Sequence, residues 1–217
     1  MTKQRALFAL IVFALACFRT RAVPSIEMYR LLPTLAETAT VSVTPPTDDL
    51  PDGTLAVSRY VTPGLYGQRG IVYRVGESGY ATYPSREWAI PLGEMLGRRT
   101  ADLLQEKPLL RGGALFDPPS RRGLTYQWRG TVREFEEIDR GSNVFVAVSL
   151  EANLIRVEDD SIVWSGGTRV ERPVPDGTME GIITQLSAAT DEVVLALLDS
   201  ARVSIRQKSA NGSSSPR

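Results

Sequence analysis

The sequence predicts an α/β fold: a single domain in which a largely antiparallel sheet is packed by two long amphipathic helices. Three observations carry that expectation. The fifty residues that follow Thr125 are strongly β, with clean alternation from Val144 onward. Two segments, Pro91 to Glu106 and Met179 to Ala201, repeat apolar residues at helical spacing. A chain of 217 residues with 42% hydrophobic content is large enough for one domain with a sizeable core.

The chain begins with a segment that is not part of that domain. Lys3 and Arg5 precede an apolar run from Ala6 to Ala16, which ends on Cys17, the single cysteine of the sequence. Eleven residues of helix span about 16 Å against a bilayer core of about 30 Å, so the run is too short for a stable membrane crossing. Basic start, short apolar stretch and small residue before the cut are the layout of a secretory signal. Phe13-Ala14-Leu15-Ala16-Cys17 resembles a lipobox, with Ala14 where leucine is usual. An ordinary cleaved secretory peptide and an uncleaved anchor are the alternatives. The lipobox reading divides the chain into a signal peptide at 1–16, a lipidated tether at 17–25, a domain at 26–205 and a disordered tail at 206–217. Several acyl chains on Cys17 would anchor the protein firmly, where a single chain of moderate length is marginal. Phe18 is not the aspartate that marks inner-membrane retention, so the expected address is the outer membrane, facing the periplasm of a Gram-negative bacterium.

Within the domain, Ile26 to Leu32 reads as a first strand closed by Pro33, and Ala39 to Val43 as a second inside a Thr/Pro/Asp-rich stretch. Thr54 to Val61 is a strand ended by Pro63 and Gly64. Ile71 to Val75 is another, with Gly76 to Gly79 turning toward Tyr80 to Tyr83. The first helix starts at Pro91, where a missing N–H costs nothing, and buries Leu92, Met95, Leu96, Leu103 and Leu104. Leu109 to Phe116 and Thr125 to Ile138 are strands. From Val144, the residues Val146, Val148, Leu150, Ala152 and Leu154 share one face, and Gly166-Gly167 predicts a bulge before Val170. Three consecutive strands with short turns make a meander. The last helix aligns Met179, Ile182, Ile183, Leu186, Val193, Val194, Leu197 and Ala201 in one stripe, capped by Asp176 or Thr178. Packing on the sheet is the plain reading of that stripe. A helix lying on a membrane is the sharper one, and Asp191, Glu192 and Asp199 on its polar face argue against it.

Composition removes several function classes. The 25 basic residues become 23 without Lys3 and Arg5, against 25 acidic, a balance unsuited to nucleic acid and to a protein held on anionic lipid by charge. With Cys17 lipidated no thiol remains for a disulfide. The absence of histidine excludes Ser-His-Asp and Cys-His nucleophilic machinery and histidine metal sites. Gly112-Gly113 and Gly166-Gly167 lack the Lys-Ser/Thr of a phosphate loop, so nucleotide hydrolysis would belong to a partner. Glu134, Glu136, Glu137 and Asp139 form an acidic cluster, but alternation splits it between two faces. A solvated strand face is the expectation there, with no metal, cofactor or catalytic residue assigned.

The order of these pieces resembles a known family. A lipobox, the Tyr29 to Leu31 strand, the proline-led Ile-Val-Tyr-Arg segment from Pro63 to Arg74 and Tyr80 come first. Arg86-Glu87-Trp88-Ala89-Ile90-Pro91-Leu92 then leads into a helix, followed by the Tyr126 to Phe135 strand, the meander and a C-terminal helix. This layout, over Ile26 to Arg202, resembles the ABC-type transport auxiliary lipoproteins (the PqiC-like family). The resemblance implies a mixed sheet similar to the N-terminal domain of TolB. It implies a non-catalytic, lipid-anchored periplasmic accessory subunit of a lipid transport system. Its partners would be an MCE-domain protein, an ABC permease and an ATPase, and a homo-oligomer is compatible with that role. A stand-alone membrane-anchored carrier of lipid or small molecules is the alternative.

Aromatic and arginine residues are enriched in binding hot spots, which makes Tyr66, Arg69, Tyr73 and Arg74 candidates for partner contact, with a plain turn between strands as the competing reading. Trp88 is a fifth candidate, set against its role as a packing residue that fixes how the helix enters.

Overall fold

The computed structural model of the chain describes residues 25–33 and 50–212. Cys17, the tether up to Pro24 and the strand expected at Ala39 to Val43 lie outside the described residues. The elements in order are β1 (Glu27–Tyr29), β2 (Leu55–Val57), a 3-10 turn (Gly64–Gly67), β3 (Gly70–Val75), β4 (Gly79–Trp88), α1 (Leu92–Glu106), β5 (Ala114–Phe116), β6 (Tyr126–Arg140), β7 (Asn143–Arg156), β8 (Ile162–Val174) and α2 (Met179–Gly212).

The sheet is mixed and hangs on β6. Along one edge β6 pairs antiparallel with β7 over its whole length, and β7 pairs antiparallel with β8, giving the expected meander. The other edge is shared. β2 lies parallel to its start, Leu55 opposite Tyr126, and β3 lies parallel to its end, Val75 opposite Asp139. β5 continues outward from β2, whereas β4 and then β1 continue from β3. Thr54 to Val61 is therefore not one strand. At Tyr60 the N–H donates to the Gly93 carbonyl of α1 rather than to β6, and pairing resumes as a single bridge at Val61.

One face of this sheet carries both helices. The alternating row Val146, Val148, Leu150, Ala152 and Leu154 is buried, as are the whole predicted stripe of α2 and the apolar face of α1. By length and composition Met179–Arg206 resembles a membrane span, but its apolar side faces the sheet, the arrangement of a core helix. Two glycines make room for large rings. A Cβ on Gly130 would lie 2.1 Å from the Tyr60 ring, and one on Gly166 would lie 2.4 Å from the Trp164 ring. With those positions empty, Trp128 stacks on Trp164 at 5.3 Å, and its indole N–H donates to the Tyr60 hydroxyl at 3.0 Å. Arg99 of α1 and Asp191 of α2 join the helices by two charge-assisted hydrogen bonds, at 2.5 and 2.7 Å.

Four further expectations need correction. β4 does not stop at Tyr83: it continues through Pro84, because pairing with β3 and β1 carries it to Trp88. Gly166 and Gly167 pair in register with Ala152 and Glu151, and the irregularity falls instead between Leu154 and Ile155. Leu109 and Leu110 are buried within a loop, leaving only Ala114–Phe116 as strand. The polar tail expected from Arg206 continues α2 as far as Gly212, in keeping with the good helix propensity of Arg206, Gln207, Lys208 and Ala210. Thr178 caps that helix by accepting from the Gly181 N–H at 3.0 Å, while Asp176 holds Thr178.

Candidate functional site

The face of the sheet opposite the helices is polar, and its chemistry centres on the end of β6. A register shift between Val132 and Glu134 inserts Arg133 as a bulge. After it Phe135 remains on the helix side, packed edge-on against Trp88 at 5.7 Å. Glu136, opposite Ala147, then faces away from the helices, and Glu137, opposite Val146, faces toward them. Both carboxylates are buried, which corrects the expectation of a solvated acidic strand. The sequence hid this because the covering groups come from elsewhere in the chain.

On the open face the 3-10 turn brings Tyr66 over β6, where its hydroxyl donates to Glu136 Oε2 at 2.5 Å. Arg74 of β3 places Nε 3.0 Å from Glu136 Oε1 as an ion pair, out of line for a hydrogen bond. Its guanidinium also lies 6.0 Å from the ring of Tyr80, which is half exposed. Further across the sheet, Arg169 bridges Glu134 and Glu171, and Arg140 adds a second guanidinium to Glu171. Arg133 pairs with Glu151. The result is a face laced with alternating charge and carrying a tyrosine–arginine corner.

On the helix side Tyr83 repeats the first arrangement, donating to Glu137 Oε2 at 2.6 Å. Tyr73 packs on Tyr83 at 4.8 Å, and Arg86 lies 5.0 Å over the Tyr83 ring. Burial raises the Glu136 carboxyl above its ordinary value, and the Tyr66 hydroxyl and Arg74 only partly oppose that. Burial likewise raises Glu137, with Tyr83 opposing. Both tyrosines are pushed well up, first by burial and then by the carboxylate each one bonds. Each is therefore a fixed neutral donor. The two carboxylates point to opposite sides of one strand, so they do not converge on a common reacting atom. Among the described residues no group of three or more metal-ligating side chains is arranged to hold an ion.

The five candidate contact residues are thus divided. Tyr66 and Arg74 meet at Glu136 on the open face. Tyr73 lies on the other face with Tyr83. Arg69 is exposed at the rim, its guanidinium reaching the Ala89 carbonyl at 3.3 Å while its own carbonyl accepts from Trp88. Trp88 is only 2% exposed and packs in the core, which removes it as a surface contact and leaves its packing role. Tyr80, Glu136 and Arg169 complete the corner and are not among the five contact candidates that the sequence offers. Strand alternation would have set Arg74 and Glu136 on faces of their strands, but not the parallel pairing of β3 with β6 that joins them.

Comparisons with known proteins follow the same lines. The family model described as ABC-type transport auxiliary lipoprotein component matches residues 32–197. The crystal structure of protein XCC0632 from Xanthomonas campestris is similar over 86% of this chain and 99% of its own, at 18% identity and a TM-score of 0.66. A second crystal structure, described only as an uncharacterized protein, is similar over 82% of this chain and 99% of its own, at 16% identity and a TM-score of 0.63. At such identities the likeness shows a shared fold. A comparison with curated proteins returned no match.

Proposed function

Because the chain belongs to the family of ABC-type transport auxiliary lipoprotein components, we propose that it is a non-catalytic, lipid-anchored periplasmic subunit of an MCE/ABC-type lipid transport system, docking onto the MCE substrate-binding component. Cys17 carries the acyl chains in this reading and holds the domain at the outer membrane. The permease and ATPase supply transport and nucleotide hydrolysis.

The observation that carries the docking role is the helix-free sheet face. Tyr66 and Arg74 are pinned there by the buried Glu136, and Tyr80 stands half exposed beside them. Rigid aromatic and arginine side chains lose little freedom on association, the property of hot-spot residues. Arg69 at the nearby rim extends the surface. A filled interior, with Trp128, Trp164 and the α2 stripe packed against one another, supports a scaffold over a carrier that encloses its cargo.

Affinity purification of the tagged, lipidated protein tests this directly. Recovery of an MCE-type partner is expected, with recovery reduced by Tyr80→Ala, a change at an exposed position. A lipid bound stoichiometrically to the isolated protein, with no MCE partner recovered, would replace docking with the carrier reading. Cys17→Ser should release the protein from the membrane fraction, and unchanged retention would refute the lipid anchor.

A further inference from the structure

Among the described residues β1, β5 and β8 end the sheet, and their lengths differ sharply. β1 and β5 are 3 residues each, too short to template another strand, whereas β8 is 13 residues long. No described strand pairs with the outer side of β8. A long edge of this kind recruits a further strand unless outward-pointing charges, a bulge or a covering segment guard it.

Pro173 shows which backbone groups face outward. It has no N–H and stands opposite Phe145, so it occupies a position that does not bond β7. In an antiparallel ladder such positions alternate. Arg172, Val170 and Thr168 therefore bond β7, while Glu171, Arg169 and Gly167 turn both N–H and C=O to the free side. The charged side chains do not guard that side. Arg169 reaches inward to Glu134, and Glu171 is held by Arg140, both partners lying on β6 two strands away. Arg172 is drawn to Gln185 and Glu192 of α2.

We propose that β8 pairs antiparallel with β8 of a second copy of this chain, about a two-fold axis at Val170, so that two sheets become one. Side-chain order selects the register. An axis at Arg169 or at Glu171 sets like charges directly opposite, whereas the axis at Val170 sets Arg169 opposite Glu171 of the other copy. These residues exchange N–H···O=C bonds across the seam, and the Gly167 N–H meets the Pro173 carbonyl, which asks no donor of the proline. No new ion pair is needed, because both charges keep the partners within their own chain. The half-buried Val170 meets its own copy at the close, non-hydrogen-bonded spacing that suits β-branched pairs. Gln185, Glu192 and Ser200 bond Arg172 and Trp164, so their row of α2 lies over β8. The exposed Ala196 and Val203 fall on the same row by helical spacing and add apolar contact between the two helices. The contact is isologous and closes on itself, and it stands apart from the MCE reading and from the lipid anchor.

Disulfide cross-linking of the full chain carrying Cys17→Ser tests the seam, since an added cysteine is then the single thiol. Val170→Cys brings two thiols together across the axis, at a Cα separation of about 4.5 Å that a disulfide spans. Thr168 lies opposite Arg172 of the other copy, so the two copies of Thr168→Cys stand about 13 Å apart, beyond disulfide reach. Mild oxidation is expected to yield at least about tenfold more covalent dimer from Val170→Cys than from Thr168→Cys. Adding Arg169→Glu sets carboxylates opposite each other and should lower that yield about threefold or more. Equal yields from the two cysteines would overturn the register, and a covalent product with a different protein in place of the dimer would overturn the second copy. Sedimentation equilibrium of the same chain without an added cysteine guards against a folding defect in the variants. A reversible dimer weakened by Arg169→Glu is expected there, and a monomer up to about 100 μM would overturn the proposal.

Discussion

The helix-covered face and the open face of the sheet share the same strands, yet different forces hold them. Under the helices, Leu150 and Leu154 alternate along β7 against the α2 stripe, and polar groups are satisfied by links such as Tyr60 with Thr100 and Trp128 and Tyr83 with Glu137. On the open face the corresponding positions carry Glu134, Arg169, Glu171 and Arg133, joined in pairs that remain largely wet. Apolar burial scales with area removed from water, while exposed ion pairs contribute little. Stability therefore resides on one side of the sheet, leaving the other free to present charge and aromatic groups. Glu136 is the exception, a buried charge on the polar side.

Changes that break this contrast should rank accordingly. Leu150→Ala, at a fully buried position, should cost roughly 3–5 kcal/mol in denaturant unfolding; a loss below about 1 kcal/mol would mean the helix face is not the core. Glu136→Ala should cost about 2–3 kcal/mol, because it strands Arg74 and the Tyr66 hydroxyl. Glu136→Gln keeps an acceptor for Tyr66 and should cost less. It should also alter the pH profile. Burial raises the Glu136 and Glu137 carboxyls, so their contribution to stability is full below the ordinary carboxylate range near about pH 4.3 and declines as pH rises through the raised folded values. Urea midpoints for Glu136→Gln should fall less on that rise than those of the parent; an identical slope would remove Glu136 from the account. Arg169→Ala, smallest of the set, should cost under about 1 kcal/mol despite its two carboxylate partners.

Periodicity made the helix-covered side legible. The stripe of α2, the row along β7 and the start of α1 after Pro91 are local patterns, and each is buried as its spacing requires. The lipobox-to-helix order also led to the family. The open-face corner was only half visible. Tyr66 and Arg74 stand out as residue types, but alternation alone leaves their partner Glu136 on a solvated face, because its cover comes from a turn seventy residues earlier. Trp88 carries two readings, a surface contact and a packing residue at the helix entrance, and β4 decides for packing by placing it under the sheet beside Phe135. Parallel pairing joins segments that no local spacing connects.

The shared edge of β6 also bears on how the domain breathes. The β2–β5 group and the β3–β4–β1 group contact the same strand at separate stretches, with the single Val61–Thr131 bridge to β6 between them. Each group thus has its own amide ladder, and one is able to detach while the other stays in register. Slow hydrogen exchange along β6 and β7 would mark a persistent spine, with the two wings opening as separate cooperative units. The Tyr66–Glu136 clamp ties the chain between those wings back to the spine, so it decides how far one wing swings without dragging the other.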